Sequence, residues 1–212
     1  MSATTIEPAA TGLVLVDPYN DVLSEGGKVW PQVHETAEAT GTVGHLRELL
    51  ATFRTVGLPV FIAPHRRWRP GDTSRWQHAA RTHRGLAGLQ LFADGTFGGD
   101  WHPDLRPRAG EIVASEHWAM NGFAGTDLDL QLRQHGVQHI VLAGMTAPGC
   151  IEGTGRYALE LGYSVTLVRD ATAAFSKELL HAVTDLTGPF WAEAVLPTAD
   201  VIAAVTSTKT TR

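Results

Sequence analysis

Short runs of consecutive apolar residues recur along the chain, and each is followed closely by turn-forming residues. The run from Leu13 to Val16 is typical of a strand buried on both faces of a sheet, because a half-exposed strand would alternate apolar and polar side chains. Comparable runs predict five further strands, at about 59–63, 111–115, 138–143, 164–168 and 193–196.

The segments between these runs have helical periodicity. Apolar residues at i, i+3 and i+4 spacing predict a helix within 31–56, with a break near Gly41 or Gly44. Further helices are predicted at 127–135, 150–161, 176–186 and 199–205. Strands that alternate with helices favour parallel pairing. The predicted fold is therefore one α/β domain over residues 1–212, a three-layer α/β/α, doubly wound (Rossmann-like), mainly parallel six-stranded sheet.

One segment, at about 65–108, has no clear periodicity and is rich in Gly, Pro, Trp, Arg and His. A long irregular segment inside a compact domain is usually functional, so we predict a lid beside a pocket or an arm between subunits, with one or two short helices within 73–90. Its basic start, His65 to Arg67, is a candidate contact for an anionic substrate group or else a solvated loop. The histidines of this segment match no compact ligand spacing, so no metal is predicted.

Charge and cysteine content narrow the function. A net charge of −5 argues against a nucleic-acid partner, and no apolar run approaches the ~20 residues of a membrane span. The N-terminus lacks the features of a signal peptide, and a single cysteine fits a reducing cytosol. We expect a cytoplasmic protein that acts on a small molecule, with loosely ordered residues 1–11 and a disordered Thr/Lys/Arg tail.

Two polar side chains stand where predicted strands end. Asp17 follows the first strand, and Cys150 begins the helix that follows the fourth. The free N–H groups of a helix start favour a thiolate, as a cysteine nucleophile requires. Since the carboxyl ends of parallel strands share one edge of a sheet, we expect the two side chains to lie close together. The alternatives are that Asp17 only caps the turn before Pro18 and that Cys150 is a small buried hydrophobe.

The motif LVLVDPYND, together with the segment 111–176 that contains AGMTAPGC, resembles the isochorismatase-like cysteine hydrolases. That superfamily includes nicotinamidases, carbamoylsarcosine amidohydrolases and ureide amidohydrolases. The resemblance implies that Cys150 attacks a carbonyl carbon to form a thioester, while Asp17 transfers the proton. It also implies an oxyanion hole built from the N–H groups of Thr146 and Cys150, after a cis peptide bond at Met145. Relatives are commonly homodimers or homotetramers, and no cofactor is implied.

The sequence departs from this family at the third catalytic residue, a lysine that follows the third strand. Counting along the strand places Ser115 or Glu116 at that position, and counting back from the next turn places His117 there. We predict that His117 replaces the lysine and that Glu116 orients it, because an imidazole can pair with Asp17 or hydrogen-bond the thiolate. The alternative is a dyad of Asp17 and Cys150. Lysine is found only at Lys28, Lys177 and Lys209.

Aromatic and polar residues near the strand ends are predicted to line the substrate pocket. Because the resemblance implies that vinyl-ether-cleaving isochorismatases lack the cysteine, its presence favours hydrolysis of a C–N bond in a small amide, carbamoyl or lactam-like substrate. Two alternatives stay open: an enol-ether or ester hydrolase that works through Asp17 alone, and a binding protein without activity. The predicted pocket residues are Tyr19, Asn20, Trp30, Trp118 and Phe123.

Overall fold

The computed structural model describes residues 6–207, apart from the side chain of Pro8. Six strands form one sheet in the order β3-β2-β1-β4-β5-β6, and all neighbours are parallel. The predicted parallel, doubly wound sheet is confirmed. The strands are β1 (Thr11–Val16), β2 (Val60–Ala63), β3 (Ile112–Val113), β4 (His139–Met145), β5 (Ser164–Ala173) and β6 (Ala194–Leu196).

Helices cover both faces of the sheet. Leu13 and Leu15 of β1 point into a core shared with α2, α3 and α8, while Val14 and Val16 point into a second core shared with α5 and α6. This alternation buries both faces of the strand, as its unbroken apolar run predicted. The helices are α1 (Asn20–Leu23), α2 (Trp30–Thr40), α3 (Thr42–Val56), α4 (Arg81–Leu89), α5 (Leu128–Gln134), α6 (Glu152–Glu160), α7 (Lys177–His181) and α8 (Thr198–Thr206).

The predicted break in the first long helix is confirmed at Gly41. This residue has φ 66°, and its N–H caps α2 by donating to Ala37 and Glu38. β5 extends five residues beyond the predicted end at 168. A register shift between Leu142 and Gly144 lets it resume pairing with β4 after the polar residues Arg169 and Asp170, which interrupt the apolar pattern.

The ends of the chain were predicted to be loosely ordered. Residues 1–5 and 208–212, including most of the Thr/Lys/Arg tail, lie outside the described residues. Within the described part, Ile6 is buried in the core and Thr11 already belongs to β1. None of the helices within residues 6–207 combines the length and apolar character needed to cross a membrane.

The strand order reverses direction between β1 and β4, and in open α/β sheets ligands bind outside the carboxyl ends of the strands at such a point. There β1 and β4 approach closely at Gly144, which pairs with Val16. Gly144 has φ 125°, and a Cβ at this position would lie 2.1 Å from the Val16 carbonyl oxygen. Only glycine fits, because any other residue would add both backbone strain and a backbone clash.

We therefore expect Gly144→Ala to lower the free energy of unfolding by roughly 2–5 kcal/mol, the combined cost of an unfavourable φ and overpacking. Urea denaturation followed by circular dichroism measures the change. Gly85→Ala is the control: Gly85 lies inside α4 with no atom within 4 Å of an added Cβ, so this variant should gain up to about 1 kcal/mol. Equal stabilities of the two variants would contradict the conclusion that only glycine fits where β1 and β4 approach closely.

Candidate active site

Asp17 lies directly after β1, at the carboxyl edge of the sheet. Its N–H donates to the Ala63 carbonyl at the end of β2 (3.2 Å), and its backbone then turns with φ 52°. The side chain is almost fully buried, with 2% of the residue exposed. A carboxylate buried at this edge requires polar partners, and two of them come from the segments that follow β3 and β4.

The first partner is His117, which follows β3. Beyond the end of β3 the chain stays paired with the chain beyond β2, because the His117 N–H donates to the Pro64 carbonyl (2.9 Å) and the Arg66 N–H donates to the His117 carbonyl (2.7 Å). This pairing brings His117 Nε2 to 3.1 Å from Asp17 Oδ1. A carboxylate can only accept, so Nε2 donates. Nδ1 is buried and has no partner within residues 6–207.

The second partner is Cys150, in a wide helical turn (Ala147–Ile151) between β4 and α6. Gly149 takes a non-helical conformation just before the cysteine. The cysteine is half-buried, and its Sγ donates to the Ala119 carbonyl at 3.3 Å. The cis peptide bond between Met145 and Thr146, implied by the family resemblance, is present at the start of this turn.

Asp17, His117 and Cys150 thus meet at one edge of the sheet. A carboxylate oxygen, an imidazole nitrogen and the thiol sulfur all lie within 4.8 Å of one another. Within residues 6–207 this is the only group of three or more His, Cys, Asp or Glu side chains close enough to share a metal ion. The prediction that no metal is required stays a prediction.

The environment of the thiol differs from the sequence prediction. Burial raises the pKa of Cys150 well above its usual value, and the charge of Asp17 raises it further. Hydrogen bonds from the N–H groups of Cys150 and Thr146 oppose this shift but do not outweigh it. The expectation that the helix start would favour the thiolate is therefore wrong for the free protein: the thiol keeps its proton and needs a base to lose it.

A cavity of about 220 Å³ opens onto Asp17 and Cys150. Its walls come from α1, α2 and α4 and from the segments that follow β2, β3, β4 and β5. Most of the lining side chains are apolar: Val22, Val29, Leu86, Leu89, Leu91, Phe92, Ala119, Met120, Met145, Pro148 and Phe175.

None of the five predicted pocket residues lines this cavity. Tyr19 is fully buried, its ring stacks on Trp101 at 4.7 Å, and its hydroxyl donates to the His65 carbonyl at 3.0 Å. Asn20 is buried too, and its side-chain amide donates to the Phe97 carbonyl at 2.9 Å. Both residues follow Asp17 within three positions, and both fix the irregular segment to the sheet edge instead of lining the cavity.

The other three predicted pocket residues also lie elsewhere. Trp30 begins α2, where its ring lies against His34. Trp118 lines a smaller neighbouring cavity of about 30 Å³, and the Arg66 guanidinium packs over its ring. Phe123 is buried in the core shared with α5 and α6. The prediction placed these residues in the pocket because of their positions in the sequence. Their side chains instead pack against α2, line the neighbouring cavity or enter the core.

Glu116 does not orient His117, which corrects the prediction. Its carboxylate binds Arg67 at 2.9 Å and Arg66 at 3.3 Å, and within the described chain it has no hydrogen bond to the His117 ring. Neighbouring residues of an extended chain point in opposite directions. When His117 faces Asp17, Glu116 must therefore face the arginines.

The lysines lie away from these groups. Lys28 Nζ donates to the Gln90 carbonyl, and Lys177 pairs with Glu35 at 2.8 Å. Neither residue lines the cavity, and Lys209 lies outside the described residues. Within residues 6–207, His117 is therefore the nitrogen base in contact with Asp17.

A further residue of the site is His65, for which the sequence suggests only a metal-ligand or an anion-contact role. It lines the cavity, its ring lies 5.0 Å from that of His117, and its Nδ1 lies 2.9 Å from the Arg66 carbonyl. Burial lowers the pKa of His65. The sequence signal for this residue is its position two residues after the end of β2. The helix α4 falls within the short helices predicted at 73–90, whereas no comparable signal marks Phe92, Met120 or Phe175.

The chain is a three-layer α/β protein whose clustered polar groups lie at the switch point of the sheet. The profile of the Isochorismatase domain family matches residues 11–189. The chain belongs to the isochorismatase family and is a hydrolase of that family.

Similar proteins bear related names. Ureidoacrylate amidohydrolase RutB of Rhizobium rhizogenes is 29% identical over 191 residues, covering 85% of this chain and 77% of that protein. N-carbamoylsarcosine amidase from Thermoplasma acidophilum is 30% identical, with a TM-score of 0.65 over 90% of this chain and 96% of that one. A cysteine hydrolase from Pseudomonas syringae shares the fold, with a TM-score of 0.80 at 22% identity over 98% of this chain and 99% of that one.

Proposed function

We propose that this protein hydrolyses a C–N bond in a small amide, carbamoyl or lactam-like substrate through a thioester on Cys150. The observation that carries the proposal is the meeting of Asp17, His117 and Cys150 within 4.8 Å beside a cavity lined mostly by apolar side chains. The names of the amidohydrolase and amidase relatives support the same reaction class.

The proposed first half-reaction begins with a neutral thiol. Asp17 accepts the thiol proton as Sγ attacks the carbonyl carbon, so that the S–C bond forms and the carbonyl oxygen becomes an oxyanion. Asp17 then gives the proton to the leaving nitrogen, the C–N bond breaks and an amine or ammonia departs. A base beside the thiol is needed because burial raises the pKa of Cys150.

In the second half-reaction Asp17 accepts a proton from water, and the hydroxide attacks the thioester carbon. The C–S bond breaks, the acid product leaves, and Asp17 returns the proton to the thiolate. We assign the N–H groups of Thr146 and Cys150 to the oxyanion in both halves. Each donor of this kind typically stabilises the transition state by about 3 kcal/mol.

We assign to His117 the place of the family lysine. Its Nε2–H donates to Asp17 Oδ1 at 3.1 Å, which fixes one carboxylate oxygen and leaves the other for the proton of the thiol. The assignment is a positioning role, exerted through Asp17, and Glu116 takes no part in it.

His117→Ala is expected to lower kcat by about 100-fold with little change in KM, because the misplaced base impairs proton transfer more than substrate binding. His117→Gln retains an N–H donor and should lose less activity. Steady-state kinetics on an amide substrate measures both effects, with the exposed His34→Ala as control. Wild-type kcat in His117→Ala would leave Asp17 and Cys150 as a dyad and remove His117 from the mechanism.

Hydrolysis of a panel of small amides, carbamoyl compounds and lactams tests the proposed function, measured as release of ammonia or amine or, for a lactam, as formation of the ring-opened amino acid. Turnover of esters or enol ethers without any amide turnover would favour a reaction carried out by Asp17 alone. Saturable ligand binding without any turnover would indicate a binding protein.

We further propose that the protein works in the cytosol as a homodimer or homotetramer, and that the segment at about 65–108 forms a lid. The lid proposal is supported by α4 of this segment, since Thr82, Leu86 and Leu89 line the cavity. Native mass spectrometry tests the subunit number.

A further inference from the structure

Within residues 6–207, the cavity beside Cys150 has no positively charged side chain in its lining, although three arginines lie close to it. Among the described residues that line it, there is no lysine or arginine. The polar side chains at its surface are Asp17, His65, Gln32, Thr82, Thr146 and Cys150. Since burial lowers the pKa of His65, its ring is neutral near pH 7. The one charged group facing a bound substrate is thus a carboxylate.

The arginines close to the site are bound to other groups. Arg66 pairs with Asp72 at 2.7 Å, Arg67 with Glu116 at 2.9 Å and Arg69 with Asp94 at 2.9 Å. The Arg67 guanidinium also packs over the Trp101 ring at 4.4 Å. Freeing any of them for a substrate would break at least one of these ion pairs. The basic run 65–67 is therefore a structural network and does not supply an anion site.

The cavity is also small. At about 220 Å³ it lies below the roughly 300–1,000 Å³ of pockets for drug-sized ligands. Its walls are mainly aliphatic and aromatic side chains. Phe92 and Met145 are buried, whereas Leu89, Met120 and Phe175 are about half exposed and form the rim. A substituent of a few carbon atoms fills such a space and removes apolar surface from water.

We propose that the site accepts a neutral amide with an apolar substituent of a few carbons and discriminates against amides that carry a carboxylate on that substituent, ureidoacrylates among them. This inference rests on the proposed function, which supplies the amide. A substrate carboxylate in the cavity would lose its hydration without gaining a cation, and it would meet the like charge of Asp17.

Hexanamide and adipic acid monoamide test this inference, because they differ only in a terminal methyl or carboxylate group. We expect kcat/KM at pH 7.5 to favour hexanamide by a factor on the order of 100. An equal rate, or a preference for the carboxylate, would overturn the inference while leaving amide hydrolysis intact.

A cation placed at the rim should reduce the preference. Leu89→Arg adds a guanidinium to a side chain that is 51% exposed, and we expect the ratio of the two kcat/KM values to shift about fivefold towards the monoamide. The control Leu130→Arg, at an exposed position on α5, should leave the ratio unchanged. An unchanged ratio in Leu89→Arg, or an equal shift in the control, would count against the cavity as the source of the selectivity.

If neither of these two amides is hydrolysed, turnover across the wider panel of amides, carbamoyl compounds and lactams decides the proposed function separately. NMR titration of Cys150→Ala with each of the two amides then measures their binding and decides whether the cavity prefers a neutral substituent. Tighter binding of hexanamide would uphold the neutral, apolar preference, and equal or tighter binding of the monoamide would refute it.

Discussion

Cys150→Ala is expected to lower kcat/KM for amide hydrolysis by a factor on the order of 10⁴ or more, because without the sulfur no thioester can form. The carboxylate of Asp17 and the N–H groups of Thr146 and Cys150 all remain in this variant, but they have no nucleophile to assist. Ammonia release measured with excess enzyme quantifies the residual rate.

The fold should tolerate this substitution. Cys150 is half-buried, and its thiol donates a hydrogen bond to the Ala119 carbonyl, so the loss of stability should be about 1 kcal/mol. Cys150→Ser is the matched control for shape, and it should be nearly as inactive, because a hydroxyl is a much weaker acid than a thiol. Activity within tenfold of wild type in Cys150→Ala would point instead to a reaction that proceeds through Asp17 alone.

Asp17→Asn is expected to lower kcat by a factor on the order of 10³, since an amide cannot accept the thiol proton. The same substitution should make the thiol more reactive. The negative charge of Asp17 raises the pKa of Cys150, so its removal lowers that pKa, and a larger thiolate fraction is present at any pH below the wild-type midpoint. The pH midpoint of alkylation by iodoacetamide should therefore move to lower pH.

Lower turnover together with easier alkylation in Asp17→Asn would distinguish a role of Asp17 as a base from a purely structural role. Asp21→Asn provides the comparison, because Asp21 is another buried carboxylate whose oxygens accept from the N–H groups of Phe92 (2.7 Å) and Lys28 (3.0 Å). Its loss should lower stability and leave the pH midpoint of alkylation where it is. If alkylation of Asp17→Asn shifted to higher pH, the charge of Asp17 would not control the thiol.

The sequence was sufficient to predict the strand ends at which Asp17 and Cys150 lie. Buried strands have apolar runs with sharp ends, so the positions of Asp17 and Cys150 followed directly from the pattern. The location of His117 required a further step, because β3 is only two residues long and an isolated bridge beyond it sets the final position. The family resemblance supplied the candidate position after this strand, and the chain pairing with His65 explains its contact with Asp17.

The cavity wall could not be predicted in the same way. It is formed by residues far apart in sequence, such as Val22, Leu86, Met120 and Phe175, and no local pattern links them. Proximity to Asp17 in sequence favoured Tyr19, whose side chain packs under the irregular segment instead. A pocket wall depends on how loops close over a sheet, whereas a strand end depends on a local pattern.

The thiol environment was also beyond a local pattern. A helix start favours the thiolate of Cys150, and the sequence shows that helix. The opposing effects of burial and of the Asp17 carboxylate depend on tertiary packing. In the folded protein these effects outweigh the helix start, which changes the expected resting state from thiolate to thiol.

The central claim is that Cys150 forms a covalent bond to the acyl group of a small amide. Intact-protein mass spectrometry after rapid acid quenching of a reaction with hexanamide tests it most directly. The account predicts a mass increase equal to the acyl group, localised by peptide mapping to Cys150 and missing in Cys150→Ala. Amide turnover without any such adduct under conditions where acyl transfer to water is slowed, or an adduct on another residue, would contradict it.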